Sequence, residues 1–248
     1  MPLYLIVNLF VLLPTLALSF DKKVHFVGLW RSFWPANLAV LGAFIAWDVA
    51  FTKMGVWGFN PDYLIGVDIL GLPVEEWMFF VTIPYACTFT YATLRAYIRR
   101  DLLGNLSQAM TFVAWATCIW LAVRYSGHLY IQWAAGLTAA WLTAVLVMTP
   151  AWMGRFWLAY LVLLVPFVAS NGVLTGITFW DYPLFWAPAS GEVLDQIVWY
   201  SPLHNTGWRI LAMPADDLVY GFLLIGLNIA LMERLERRHK LKAARTGR

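Results

Sequence analysis

Charge is what this sequence has least of. Asp, Glu, Lys and Arg make up 12% of its 248 residues, while 61% are hydrophobic, against roughly a quarter charged in an ordinary soluble domain. A soluble core of this size has no room for so much apolar surface. Lipid accepts it on the outside of a helix bundle, because each helix satisfies its own backbone. Cysteine is nearly missing: Cys87 and Cys118 both lie in apolar runs, with neither metal-ligand spacing nor a disulfide framework. The four histidines, His25, His128, His204 and His239, are scattered, which argues against a multi-histidine iron oxygenase. No Gly-x-Gly-x-x-Gly follows a strand pattern, so no dinucleotide-binding domain is expected. The last apolar run has no lysine for a retinal Schiff base. These absences together set an expectation of no metal and no cofactor.

Long apolar runs are plentiful. Stretches near 3–20, 34–52, 75–95, 109–125, 128–148, 156–176 and 215–233 are each about the 20 residues a bilayer requires. Fifteen Trp suit the water–lipid interface. The first stretch resembles a signal peptide, but nothing basic precedes Lys22, so it reads as a retained helix. With seven spans and the N-terminus outside, fourteen Lys and Arg fall on the inside and three on the outside. That is the positive-inside pattern, and omitting the fourth span removes it. The expected location is a cell membrane, multi-pass, with a cytoplasmic C-terminus. Seven of the basic residues follow Met232; a cytoplasmic membrane anchor explains them better than nucleic acid does.

The chain also repeats itself. Arg31-Ser-Phe-Trp-Pro-Ala-Asn-Leu aligns with Gly154-Arg-Phe-Trp-Leu-Ala-Tyr-Leu at an offset of 123, placing Asp48 over Asn171 and Thr52 over Thr175. Gly66-Val-Asp-Ile-Leu-Gly-Leu-Pro-Val-Glu-Glu aligns with Gly207-Trp-Arg-Ile-Leu-Ala-Met-Pro-Ala-Asp-Asp at an offset of 141, so the second copy carries 18 extra residues, placed within 177–197. The expected fold is therefore all-α: a polytopic membrane helix bundle of about seven transmembrane helices, with two parallel three-helix repeats and a connector helix. Residues 1–100 hold the first repeat, 101–126 the connector, 127–235 the second repeat and 236–248 a basic tail. A membrane-crossing connector gives both copies one orientation, related by an axis along the membrane normal.

Two motifs carry the candidate chemistry, Pro73-Val-Glu75-Glu76 and Pro214-Ala-Asp216-Asp217. A proline at the first helical position followed by acids has a plain structural explanation in the helix dipole. Occurrence at matching repeat positions, at the edge of hydrocarbon, favours function. Neighbouring carboxylates in poorly solvated surroundings cannot easily both stay ionised, so one can serve as a proton donor. Asp48 and Asn171, inside equivalent helices, either hold helices together or floor a cavity. Arg209 is expected to pair with Asp216 or Asp217. Trp57, Phe59, Tyr63, Trp199 and Tyr200 are interface anchors or cation-stabilising faces.

Phe59-Asn60-Pro-Asp-Tyr63-Leu-Ile-Gly, Leu72-Pro-Val-Glu-Glu-Trp-Met-Phe-Phe and Ile83-Pro-Tyr-Ala-Cys-Thr resemble the signature of the lycopene cyclase domain. Asn171-Gly-Val-Leu-Thr-Gly, Val198-Trp-Tyr, Gly207-Trp-Arg-Ile and Pro214-Ala-Asp-Asp-Leu-Val-Tyr-Gly resemble its sister domain. The resemblance covers roughly residues 1–235 and is to the fused, flavin-independent form. It departs at Ala215-Asp-Asp, where the family usually shows an aliphatic residue, Glu and an acid. The resemblance implies a lycopene β-cyclase, an isomerase that takes lycopene through γ-carotene to β-carotene without net redox change. Glu75, Glu76, Asp216 and Asp217 then do the acid–base work, Glu75 or Glu76 being the donor. Asp48, Asn171, Trp57, Phe59, Asn60, Tyr63, Trp199, Tyr200 and Arg209 form the pocket. The implied partners are lycopene from the bilayer and membrane lipid, with no nucleic acid; self-association or contact with other carotenoid enzymes is open. A small transporter and another carotenoid end-group cyclase or hydratase are the competing readings.

Overall fold

The computed structural model describes residues 1–187 and 193–246. Part of the 18-residue insertion, residues 188–192, and the last two residues of the basic tail lie outside them. Seven α-helices dominate the described residues: α1 (Leu3–Leu18), α2 (Trp30–Lys53), α3 (Val74–Tyr97), α4 (Gly104–Arg124), α5 (Leu129–Met148), α6 (Met153–Thr175) and α7 (Asp216–Thr246). The helices containing α2, α4, α5, α6 and α7 are long and apolar enough to cross a membrane. The 16 residues of α1 rise only about 24 Å, and α3 carries Glu75, Glu76 and Arg95. The fold is a helical membrane bundle.

The main helix contacts of the two halves correspond. Helix α1 lies on α3 as α5 lies on α7, while α2 crosses to α7 and α6 crosses to α3. Polar side chains tie some of these seams. Asn8 of α1 donates to the Glu75 carbonyl at 3.0 Å and accepts from Thr82 at 2.6 Å, both on α3. Asn37 of α2 reaches Asn228 of α7 at 3.2 Å, and the Tyr160 hydroxyl of α6 donates to the Leu218 carbonyl of α7 at 2.8 Å. Such bonds are needed where lipid supplies no apolar driving force between helices. At the far end, Arg95 of α3 bridges Glu233 and Glu236 of α7 at 2.7 and 2.9 Å.

Among the described residues the loops carry six short strands, β1 (Trp57–Phe59), β2 (Asp68–Ile69), β3 (Leu72–Pro73), β4 (Val198–Tyr200), β5 (Arg209–Ile210) and β6 (Met213–Pro214). Strands β2 and β3 form a tight hairpin pairing Asp68 with Pro73, and β5 and β6 form its counterpart pairing Arg209 with Pro214. Leu70 and Leu211 take the same left-handed turn position, φ 57° and 54°. Strand β1 pairs antiparallel with β4, Trp57 opposite Tyr200 and Phe59 opposite Val198, which joins the two long loops into one cap. The hairpins correct one expectation. Pro73 and Pro214 are strand residues, and Pro73 is the N-cap of α3 with ψ 145°, because the hairpin holds them extended just before each helix begins.

Candidate active site

The two acids of each motif point to different places. Each hairpin delivers its chain into a helix so that the first acid turns back on the loop. Glu75 Oε1 accepts the backbone N–H of Ile65 at 2.7 Å. Asp216 Oδ1 accepts that of Thr206 at 2.9 Å, and its Oδ2 accepts the Thr206 hydroxyl at 2.7 Å. Both contacts reach ten residues upstream. The helix-start N–H groups of Val74 and Ala215 likewise bond the carbonyls of Val67 and Trp208. Glu75 and Asp216 are therefore loop clamps, buried but away from the cavity described next.

The second acids face inward. One residue along a helix is a rotation of about 100°, enough to carry Glu76 and Asp217 from the loop side into the bundle. There they line a single cavity of about 50 Å³, room for a few waters. Tyr4 of α1 donates its hydroxyl to Glu76, and Tyr130 of α5 donates to Asp217 Oδ1 at 2.5 Å. Asp48 of α2 and Asn171 of α6 complete the two sets, and all six side chains border the same space. Each half thus contributes a tyrosine, a second acid, and a partner deep in a helix.

The halves differ at that partner. Asn171 donates its amide to Asp217 Oδ2 at 2.6 Å, and Tyr200 of β4 donates to the same oxygen at 3.2 Å. In the other half a carboxyl replaces the amide. Asp48 Oδ1 accepts the Trp57 indole N–H at 2.5 Å and the Thr52 hydroxyl at 3.2 Å, while Asp48 Oδ2 is buried with no donor among the described residues. The Glu76 carboxyl borders the same cavity, which makes the two acids neighbours.

The rest of the cavity wall is apolar, with aromatic rings beside the acids and a mixture of aromatic and aliphatic side chains elsewhere. Trp57, Phe59, Tyr200 and Tyr220 surround the carboxyl end, with Trp57 edge-on to Tyr130 and Tyr220. Phe79, Ile83, Phe167, Leu224 and Ile225 carry the cavity along α3, α6 and α7 towards the bundle interior.

Several expected pocket residues sit elsewhere. Arg209 does not pair with Asp216 or Asp217; it is buried and donates to the Ala212 carbonyl within its own hairpin turn, because the tight β5–β6 turn presents that carbonyl to it. Burial pushes the Arg209 guanidinium pKa down, with the neighbouring acids opposing. Asn60 caps a short 3-10 turn by accepting the Asp62 N–H at 3.1 Å. Tyr63 packs beside Tyr4, Leu174 and Ile197 without bordering the cavity. Trp199 lies on the outer face of the cap, 42% exposed, over Gly58. Sequence reasoning missed Tyr4, Tyr130, Tyr220, Phe79 and Phe167. A signal existed for the first two: Leu3-Tyr4-Leu5 matches Leu129-Tyr130-Ile131 at an offset of 126.

The fold and site together define a class, a membrane helix bundle that gathers carboxyls, tyrosines and aromatic rings around one largely apolar chamber. The sequence matches the lycopene cyclase family over residues 1–94 and 127–235, and the chain belongs to that family. It is similar to the bifunctional lycopene cyclase/phytoene synthase of Podospora anserina, 30% identical over 36% of this chain and 14% of that protein. The protein of the same name from Neurospora crassa is 31% identical over 33% of this chain and 13% of its own length. The matched part is therefore less than one sixth of these curated relatives. No solved structure matches.

Proposed function

We propose that this chain is a lycopene β-cyclase, closing the acyclic ends of lycopene through γ-carotene to β-carotene. The observation that carries the reading is the convergence of Asp48, Glu76 and Asp217 on one buried cavity whose other walls are aromatic and aliphatic. Cyclisation begins with a proton added to the terminal double bond of an end group. The resulting tertiary cation is attacked by the neighbouring alkene, and loss of a ring proton leaves the β-ring. One proton enters and one leaves, so the product is an isomer of the substrate.

Each requirement has a counterpart. Carboxyls supply and remove protons. The faces of Trp57, Phe59, Tyr200 and Tyr220 attract a passing cation, an interaction worth about 2 kcal/mol or more when desolvated. A cavity that admits only a few waters limits capture of that cation by water. The apolar wall formed by Phe79, Ile83, Phe167, Leu224 and Ile225 of α3, α6 and α7 suits the polyene that trails from the reacting end group. The membrane supplies the substrate, which favours lateral access between helices. The test uses purified protein in lipid vesicles loaded with lycopene, with no flavin or nicotinamide added. Cyclic carotenoid should accumulate; unchanged lycopene with correctly folded protein would refute the proposal.

A further inference from the structure

The two halves of the cavity present opposite hydrogen-bonding demands. Asp217 receives three donors, the Tyr130 hydroxyl, the Asn171 amide and the Tyr200 hydroxyl. Three donors on two oxygens is the environment of an ionised carboxylate, which only accepts. The other half is short of a donor. Glu76 receives Tyr4, and Asp48 Oδ1 receives Trp57 and Thr52, yet Asp48 Oδ2 is buried without one, and the carboxyl beside it can donate only if it carries a proton. Buried polar atoms without partners are rare. A proton on the Asp48–Glu76 pair turns one of these acceptors into a donor and supplies what Asp48 Oδ2 lacks.

We infer that the repeats have divided the acid–base work, the Asp48–Glu76 pair being the proton donor and Asp217 the carboxylate that removes the ring proton. This rests on the cyclase reading above and extends it. The step balances. The pair gives its proton to the terminal alkene, forming a new C–H bond and a tertiary cation. The internal alkene closes the ring by forming the C–C bond, which moves the positive charge onto a ring carbon. The electrons of an adjacent C–H bond become the ring double bond, and that proton goes to Asp217. Once product leaves, the few waters that fit the cavity can return the proton from Asp217 to the pair. No oxidant or co-reactant is consumed. The division turns on one substitution between repeats, Asp48 in the first where Asn171 stands in the second.

The experiment compares the wild type with Glu76→Gln and Asp217→Asn, each supplied with lycopene in D2O buffer, with recovered carotenoids analysed by mass and by absorption spectrum. Thermal unfolding of each purified protein shows that it is folded. The wild type should give cyclic product carrying deuterium at the newly formed C–H. Glu76→Gln should lose product by about 10²-fold or more, and recovered lycopene should carry no deuterium, because nothing protonates it. Asp217→Asn should still protonate. Recovered lycopene should then exchange deuterium at its ends, or rings should appear with the double bond displaced, because the cation must shed a different proton. If either variant fails to fold, a milder change carries its arm. Asp48→Asn removes the shared proton, so product and label should fall together. Asp217→Glu moves the carboxylate by one methylene and should alter the ring-isomer ratio.

A wild type that leaves lycopene unchanged overturns the cyclase reading itself. An active wild type with both variants silent in product and label overturns the division alone, as does exchange in Glu76→Gln with none in Asp217→Asn.

Discussion

Neighbouring acids on one helix should fail in different ways. Glu75 accepts the Ile65 N–H at 2.7 Å and its other oxygen is buried without a partner, whereas Glu76 borders the cavity with Tyr4. Glu75→Gln keeps an acceptor for Ile65 but loses the charge at the helix start, a term of about 0.3–1 kcal/mol. Its new amide would also lie beside buried surface with no acceptor, at about 1–3 kcal/mol. The expected sum is on the order of 1–4 kcal/mol of stability, with the rate per folded molecule within a few-fold of wild type. Glu76→Gln removes a donor of protons, so its rate should fall by about 10²–10⁴, equivalent to roughly 3–5.5 kcal/mol of barrier, while thermal stability changes little. The assay is product formed per folded protein, paired with thermal unfolding in the same detergent. Equal rate losses in both variants, with both proteins stable, would falsify the separation of clamp from chemistry.

Three further outcomes are expected. Asp216→Asn should follow Glu75→Gln, destabilising the Thr206 clamp while sparing the rate, and the same paired assay checks it. Gly58→Val should open the β1–β4 cap, because a Cβ there would stand 2.3 Å from the Trp199 ring; about 1–3 kcal/mol of overpacking should appear as a lower unfolding temperature and several-fold less product. Reporter fusions should place the C-terminus in the cytoplasm and the 53–74 loop on the opposite side; a cytoplasmic loop would contradict the charge-based orientation.

Much of this arrangement was legible in the sequence because the repeat is. Two motifs at a fixed offset marked both helix starts, and the first-half alignment placed Asp48 opposite Asn171. The choice between adjacent acids was not legible. Residues one apart differ by about 100° around a helix, and what fixes the rotation is a hairpin whose ten-residue reach to Ile65 or Thr206 has no pattern of its own. The same hairpin made Pro73 an N-cap instead of a first helical residue. Arg209 was expected to find an acid because charge complementarity is all a sequence offers, but a carbonyl three residues on was nearer. Tyr4 and Tyr130 escaped notice because their shared motif is three residues long and sits in apolar helices where a tyrosine looks like an interface anchor.

The central claim, that this chamber closes lycopene ends, is tested most directly by expressing the chain in a host that accumulates lycopene and identifying the extracted pigments. Cells carrying the wild type should contain β-carotene with a smaller pool of γ-carotene, and cells carrying Glu76→Gln at equal membrane abundance should retain lycopene. Lycopene left intact by abundant, folded wild type, or converted instead to a hydrated acyclic carotenoid, would contradict the account.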